Sequence, residues 1–187
     1  QQEMARHRHD MRHHMLLIRE YAQKEEALGL LRYLDQYEEE VINSGRKDIC
    51  AHQTVNSILS AYASKAQNEN IFVETEVSLP LELPIRDIDW VAILANVFEN
   101  AIHGCLDSDS SKKVIQIQIA KKGHKVSIQC KNTCSDRIVF QEGIPKSITG
   151  GGIGVSSILK TVARYKGETD FSAKEGIFLT RILLNLS

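Results

Sequence analysis

The stretch Trp90 to Cys105, WVAILANVFENAIHGC, places Asn96 and Asn100 four residues apart, with Glu99 between them and His103 just beyond. At about 100° per residue these four share one arc of a helix, with Asp89 roughly in line. Trp90, Ile93, Leu94, Val97, Ala101 and Cys105 fall on the other arc and are expected to face a core. A solvated face ordinarily favours Lys and Glu pairs. Asparagines beside a carboxylate instead offer amide oxygens that can ligand a hard cation such as Mg²⁺, which keeps several waters and bridges to substrate phosphates. A surface helix whose asparagines merely meet water accounts for the same residues. The helix alone leaves both readings open.

Two other clusters can do chemistry. Near the start runs Arg8-His9-Asp10-Met11-Arg12-His13-His14. His9 lies about 200° from Met11 on a helix, so it points away from an apolar seam. An exposed imidazole beside a carboxylate can act as a nucleophile, with Asp10 favouring the neutral tautomer or accepting the proton. A solvated histidine cluster is the default alternative. A metal site from His9 and His13 at i and i+4 is another, because HDxxH resembles HExxH with a shorter acid. That site lacks an obvious third ligand. The nucleophile reading gains only if a phosphate donor site exists elsewhere. Late in the chain, Gly150-Gly151-Gly152-Ile153-Gly154-Val155 leads into an apolar-periodic helix through Ile158, Leu159, Val162 and Tyr165. Glycines before a helix start let backbone N–H groups and the positive helix end approach phosphate closely. No strand runs directly into the cluster, so it is not a Rossmann turn, and no GK[ST] follows, so it is not a P-loop.

These residues need elements to position them. From about Glu3 to Gln23 a helical stripe is formed by Met4, Met11, Met15, Ile18 and Ala22. A second, from roughly Glu25 to Ile42, has Ala27, Leu31, Leu34, Tyr37 or Glu38, and Val41 as its seam, with Gly29 interrupting its start. Neither helix can bury its stripe alone, which predicts pairing with a second copy into a four-helix bundle. Asn43 to Asp48 breaks the pattern and separates the modules. Val55, Ile58, Leu59, Tyr62, Ala63 and Ala66 mark another amphipathic helix, and Ile71 to Leu79 alternates like a strand. Beyond the asparagine helix, Val114 to Ala120 and Lys125 to Lys131 are strands joined by a Gly-containing hairpin connection. Asn132 to Thr149 is an irregular run, expected to be a mobile lid. Glu168 to Ala173 and Ile177 to Leu184 supply closing strands.

The chain of 187 residues can build one good core and a smaller module. Its formal net charge of −1 gives no electrostatic case for nucleic acid or an anionic membrane surface. Lys121, Lys122 and Lys125 read as a solvated strand-end cluster. Cys50, Cys105, Cys130 and Cys134 contain no CxxC pair and sit mostly in apolar patterns, which suggests reduced thiols in a cytosolic setting. No apolar run is long enough to span a bilayer, and no signal peptide is evident. The chain opens on a helical pattern without a start methionine and is expected to be a piece of a larger protein.

The order asparagine helix, hairpin, variable loop, GxGxG and helix resembles the ATP-binding domain shared by histidine kinases, gyrase, Hsp90 and MutL. With His9-Asp10 upstream, the whole chain resembles the cytoplasmic core of a sensor histidine kinase. Its H-D start and short lid look closest to the branch of peptide-pheromone quorum-sensing kinases. The resemblance implies that Asn100 binds Mg²⁺ and that Asn96 lies near the phosphates of ATP. In hydrolysing relatives the first position is Glu, which activates water; an amide lacks that basicity and favours transfer to a histidine. Glu99 matches an acidic position of the same box. Gly150, Gly152 and Gly154 match the second glycine box, whose backbone holds the phosphates. The first glycine box, DxGxG in many relatives, is missing. Asn132 aligns with its Asp and is expected to read the adenine amino group through its side-chain oxygen, and Thr133-Cys134-Ser135-Asp136 follows it without glycine.

By the same resemblance His9 is the phosphoacceptor and Asp10 its acid/base neighbour, with phosphate passing on to an aspartate of a response regulator. His13 stands where relatives often carry Asn or Thr, a position linked to dephosphorylating the partner. His103, His124 and His52 are expected to be surface or packing residues. The expected fold is α+β: an N-terminal dimerising helical hairpin over 1–46, then an α/β sandwich of helices on a mixed sheet over 47–187, the catalytic ATP-binding domain. The expected function is ATP- and Mg²⁺-dependent autophosphorylation at His9 in a homodimer, within a parent protein anchored in the membrane. A nucleotide-binding scaffold that has lost transfer, and a metal-dependent hydrolase using His9 and His13, are the alternatives.

Overall fold

The computed structural model describes residues 16, 18–23, 27, 29–31, 49–146 and 153–186. The chain divides into two units, Gln1–Asn43 and Ser44–Ser187. In the first, residues 18–23 and 29–31 are helical, so Gly29 belongs to helix and does not interrupt it. Ile18 is half-buried, while Ala22, Ala27 and Leu31 of the expected seams are exposed in the single chain. Met4, Met11, Met15, Leu34, Val41 and the break from Asn43 to Asp48 lie outside the described residues.

The second unit opens with α1 (Gln53–Asn68), whose apolar stripe buries Val55, Leu59 and Ala66. Asn70 ends it in the left-handed region at φ 58°. Asn70 N–H then donates to Gln67 O and Ile71 N–H to Ala66 O, and the buried Ile71 completes a Schellman stop. The strand β1 (Phe72–Ser78) follows, then α2 (Asp87–Leu106), the polar-faced helix, with Asp87 and Asp89 at its positive end. Next come β2 (Val114–Lys122) and β3 (Lys125–Thr133), joined through Gly123 at φ 56°. Two short strands, β4 (Phe140–Gln141) and β5 (Ile144–Pro145), precede α3 (Ile153–Arg164), and β6 (Glu168–Lys174) and β7 (Ile177–Asn185) close the unit.

Five strands form one mixed sheet in the order β1-β2-β3-β7-β6. Only β1 and β2 run parallel, and α2 makes the crossover that a parallel pair requires. Alternation sets the faces: Ile115, Ile117 and Ile119 of β2, Val126, Ile128 and Cys130 of β3, and Ile182 and Leu184 of β7 are buried in the core shared with the helices. On the other face Gln118 Nε2 donates to Glu76 Oε2 at 2.7 Å and Gln129 Nε2 to Gln118 Oε1 at 3.2 Å, a polar ladder left to solvent. The result is the expected α/β sandwich of helices on a mixed sheet. The residues expected to be buried on α2 are all buried, and Phe98 and Ile102 join them because α1 and α3 both pack against this helix. The run from Asn132 is less irregular than expected: Thr133 extends β3, and Phe140 to Pro145 is a small hairpin turning on Glu142 at φ 52° and Gly143 at φ 77°.

Candidate functional site

Asn96, Glu99, Asn100 and His103 of α2 line one cavity of about 360 Å³ together with Asn132 from the end of β3 and Gly154 from the start of α3. Residues far apart in sequence thus meet at one place. His9, Asp10, Gly150 and Gly152 lie outside the described residues.

The asparagine wall is held in a definite geometry. Asn96 Nδ2 donates to Ala92 O at 2.6 Å, back along its own helix, which turns Oδ1 towards Gly154. A Cβ built on Gly154 would stand 2.9 Å from Asn96 Oδ1 and 3.6 Å from Asn100 Oδ1. Any side chain at 154 would therefore occupy the space in front of the two amide oxygens. This cradle of amide oxygens and glycine backbone suits the donor chemistry of a Mg²⁺–phosphate pair. Among the described residues no cluster of His, Cys, Asp and Glu could hold a metal by itself.

The far end of the cavity is apolar. Phe171 and Phe178, with ring centroids 6.3 Å apart, form with Cys134 a small second core against which Ile138, Phe140, Val155 and Leu159 pack. Asn132 is 3% exposed; its Nδ2 donates to Thr133 O at 2.9 Å, leaving the amide oxygen to accept from a ligand. Gly104 lets α2 come down on this amide, since a Cβ there would lie 2.7 Å from Asn132 Nδ2. Lys146, after the small hairpin, lines the cavity as well. Its walls therefore suit a molecule with a flat apolar ring at one end and phosphates at the other.

Two acidic residues of α2 behave differently. Glu99 Oε1 pairs with Lys65 Nζ of α1 at 2.6 Å, and its charge also acts on the Tyr62 hydroxyl. Asp89 leaves the polar arc altogether. It is 1% exposed and accepts from Arg86 Nε at 2.8 Å, Arg86 Nη2 at 3.0 Å, Arg164 Nη1 at 2.7 Å and the Tyr165 hydroxyl at 2.7 Å. Hydrogen bonds from Arg86 hold its carboxyl below the ordinary carboxylate range against the effect of burial. Asp89 ties the start of α2 to the end of α3 and is no part of the cavity.

His103, expected at the surface or in packing, is exposed and also lines the cavity, three residues beyond Asn100 on the same arc. His52, read as surface or packing, is buried: its ring accepts from Val55 N–H at 3.5 Å and meets Trp90 edge-on at 5.6 Å. Phe171, Phe178, Cys134 and Lys146 were missed, and only strand pairing and the packing of the hairpin bring them to the site. A larger groove of about 940 Å³, between the loop after α2 and the β6–β7 turn, holds none of the expected site residues.

Residues 85–185 match the GHKL domain family. Among solved structures, the catalytic domain of the histidine kinase ThkA superposes with a TM-score of 0.59 at 18% identity, over 72% of this chain and 92% of that one. The histidine kinase domain of the Erythrobacter litoralis blue-light activated histidine kinase EL346 gives 0.56 at 16%, over 91% and 82%. The Acinetobacter baumannii histidine kinase AdeS gives 0.56 at 14%, over 92% and 85%. At these identities the likeness carries the fold. No curated protein sequence matches the chain.

Proposed function

Since this chain belongs to the GHKL domain family, we propose that it binds ATP with Mg²⁺ in the α2–α3 cavity and transfers the γ-phosphoryl group to His9. One observation carries the reading: the amide oxygens of Asn96 and Asn100 face the Gly154 backbone at one end of a cavity whose other end is Asn132 and a phenylalanine pair. Asn100 would ligand the cation, and Asn96 and Gly154, with Gly150 and Gly152, would hold the phosphates. Bound there, Mg²⁺ would neutralise phosphate charge. Asn132 would accept from the adenine amino group between Gly104 and the aromatic floor. Asp10 would orient the His9 imidazole and take its proton. Transfer is then mainly positioning, which places its demands on rigid elements such as α2.

In this reading residues 1–46 supply a homodimer's helices and the phosphoacceptor, and 47–187 the catalytic domain. A response-regulator aspartate receives the phosphoryl group, the parent protein is membrane-anchored, and the glycine-free Thr133 to Asp136 supports a kinship with the quorum-sensing branch. Among the described residues no helix is long and apolar enough to cross a membrane. Incubation with γ-labelled ATP and Mg²⁺ tests the proposal. Acid-labile label that disappears in His9→Gln and falls in Asn100→Asp supports it. Nucleotide binding without label would instead make the chain a signalling scaffold, and failure to bind adenine nucleotide would end the reading.

A further inference from the structure

Glu99 raises a problem for a site that takes a triphosphate. It lies on α2 directly before Asn100 and three residues after Asn96, and all three line the same cavity. An unpaired carboxylate in that position repels phosphate and competes for the cation. The structure answers it from a different element. Lys65 of α1 sets its ammonium 2.6 Å from Glu99 Oε1. The same ammonium lies 5.6 Å from the centroid of the Tyr62 ring, one turn earlier on α1. Tyr62 stacks on Phe98 at 5.6 Å, which fixes the ring beside the Lys65 ammonium. Burial first, and then the neighbouring Glu99, push the Tyr62 hydroxyl up to about 12, so it adds no second negative charge here at physiological pH.

Resting on the nucleotide reading above, we infer that Lys65 is a positioning residue of the site. Acting through Glu99, it turns that carboxylate towards α1 and cancels its charge, so that the cavity accepts a polyphosphate. The pair is not chiefly a fold stabiliser. Both side chains are about one-third exposed, at 39% and 33%, and ion pairs so placed contribute little to stability. Its effect falls on a charged ligand brought next to it. Lys65 therefore influences phosphate binding without touching the nucleotide.

The test compares MgATP with adenosine as calorimetric ligands for the whole chain. Lys65→Met is expected to weaken MgATP about tenfold while adenosine affinity and the unfolding midpoint stay close to wild type. Lys65→Arg, which keeps the charge, is expected to bind MgATP like wild type. In a Glu99→Gln background, Lys65→Met should have no further effect on MgATP, because the carboxylate it neutralises is gone. Equal weakening of adenosine and MgATP, or an undiminished Lys65→Met effect in the Glu99→Gln background, overturns the inference. Unchanged MgATP affinity in Lys65→Met overturns it too. Wild-type chain that binds neither ligand overturns the nucleotide reading beneath it, a result distinct from the others.

Discussion

Gly154 and Asn96 meet so closely that a Cβ on the glycine would lie 2.9 Å from the asparagine Oδ1. The amide cannot simply rotate away, because its Nδ2 is held by Ala92 O at 2.6 Å. Gly154→Ala is therefore expected to displace the Asn96 amide and weaken MgATP binding by about tenfold, a cost within the usual range for overpacking. The fold should survive, since the glycine sits at the start of α3 on the cavity wall. Equilibrium binding beside a thermal melt checks this, and wild-type affinity would contradict it.

At the apolar end, Asn132 is expected to choose the base. One amino hydrogen goes to Thr133 O and the nitrogen lies against Gly104, so the side chain offers a ligand its oxygen, an acceptor that matches an adenine amino group and not a guanine carbonyl. Asn132→Ala should lower ATP affinity by about tenfold and leave GTP binding nearly unchanged, so that the preference between them narrows. Competition between the two nucleotides on one preparation measures it directly.

The Asp89 knot makes a prediction about stability. Removing the buried carboxylate strands Tyr165 and two arginines, and Asp89→Ala should cost about 2–3 kcal/mol. The arginines themselves are more than half exposed, which keeps the figure at the low end. Because the folded carboxyl titrates below its unfolded value, its stabilisation is complete above the ordinary carboxylate range near pH ~4. It is lost as pH falls through the lower folded value. Urea melts from neutral pH down to pH ~3 should show wild type losing its advantage over Asp89→Asn along that interval.

The thiols titrate in the opposite direction. Burial pushes Cys130 up to about 12 and Cys105 to about 11, so both should resist alkylation at neutral pH in the folded protein, whereas all four cysteines react in denaturant. Folding holds these protons more tightly than the unfolded chain does. Their contribution is therefore fully present below the ordinary thiol value near ~8.5 and declines as pH rises towards the folded values. Mass spectrometry after timed alkylation gives the order of reaction; rapid labelling of Cys130 in folded protein would contradict it.

Some of this protein is local, and for that reason legible in the sequence. The arc of Asn96, Glu99 and Asn100 follows from the helical period alone, as does the buried arc of Trp90, Ile93 and Val97. The alternating strands follow likewise, because a side chain's face is set by its neighbours one and two residues away. Gly154 stood out because glycines before an apolar-periodic helix permit close backbone approach. What packing decided is everything that joins separate elements. Asp89 shares the polar arc in sequence, but the end of α3 brings Arg164 and Tyr165 onto it and removes it from the site. Glu99 looks free until α1 supplies Lys65 and Tyr62. Phe171 and Phe178 reach the cavity only because β6 pairs with β7 at one edge of the sheet. Periodicity acts over a few residues, whereas these contacts span tens of residues and exist only once the sheet has set its strand order.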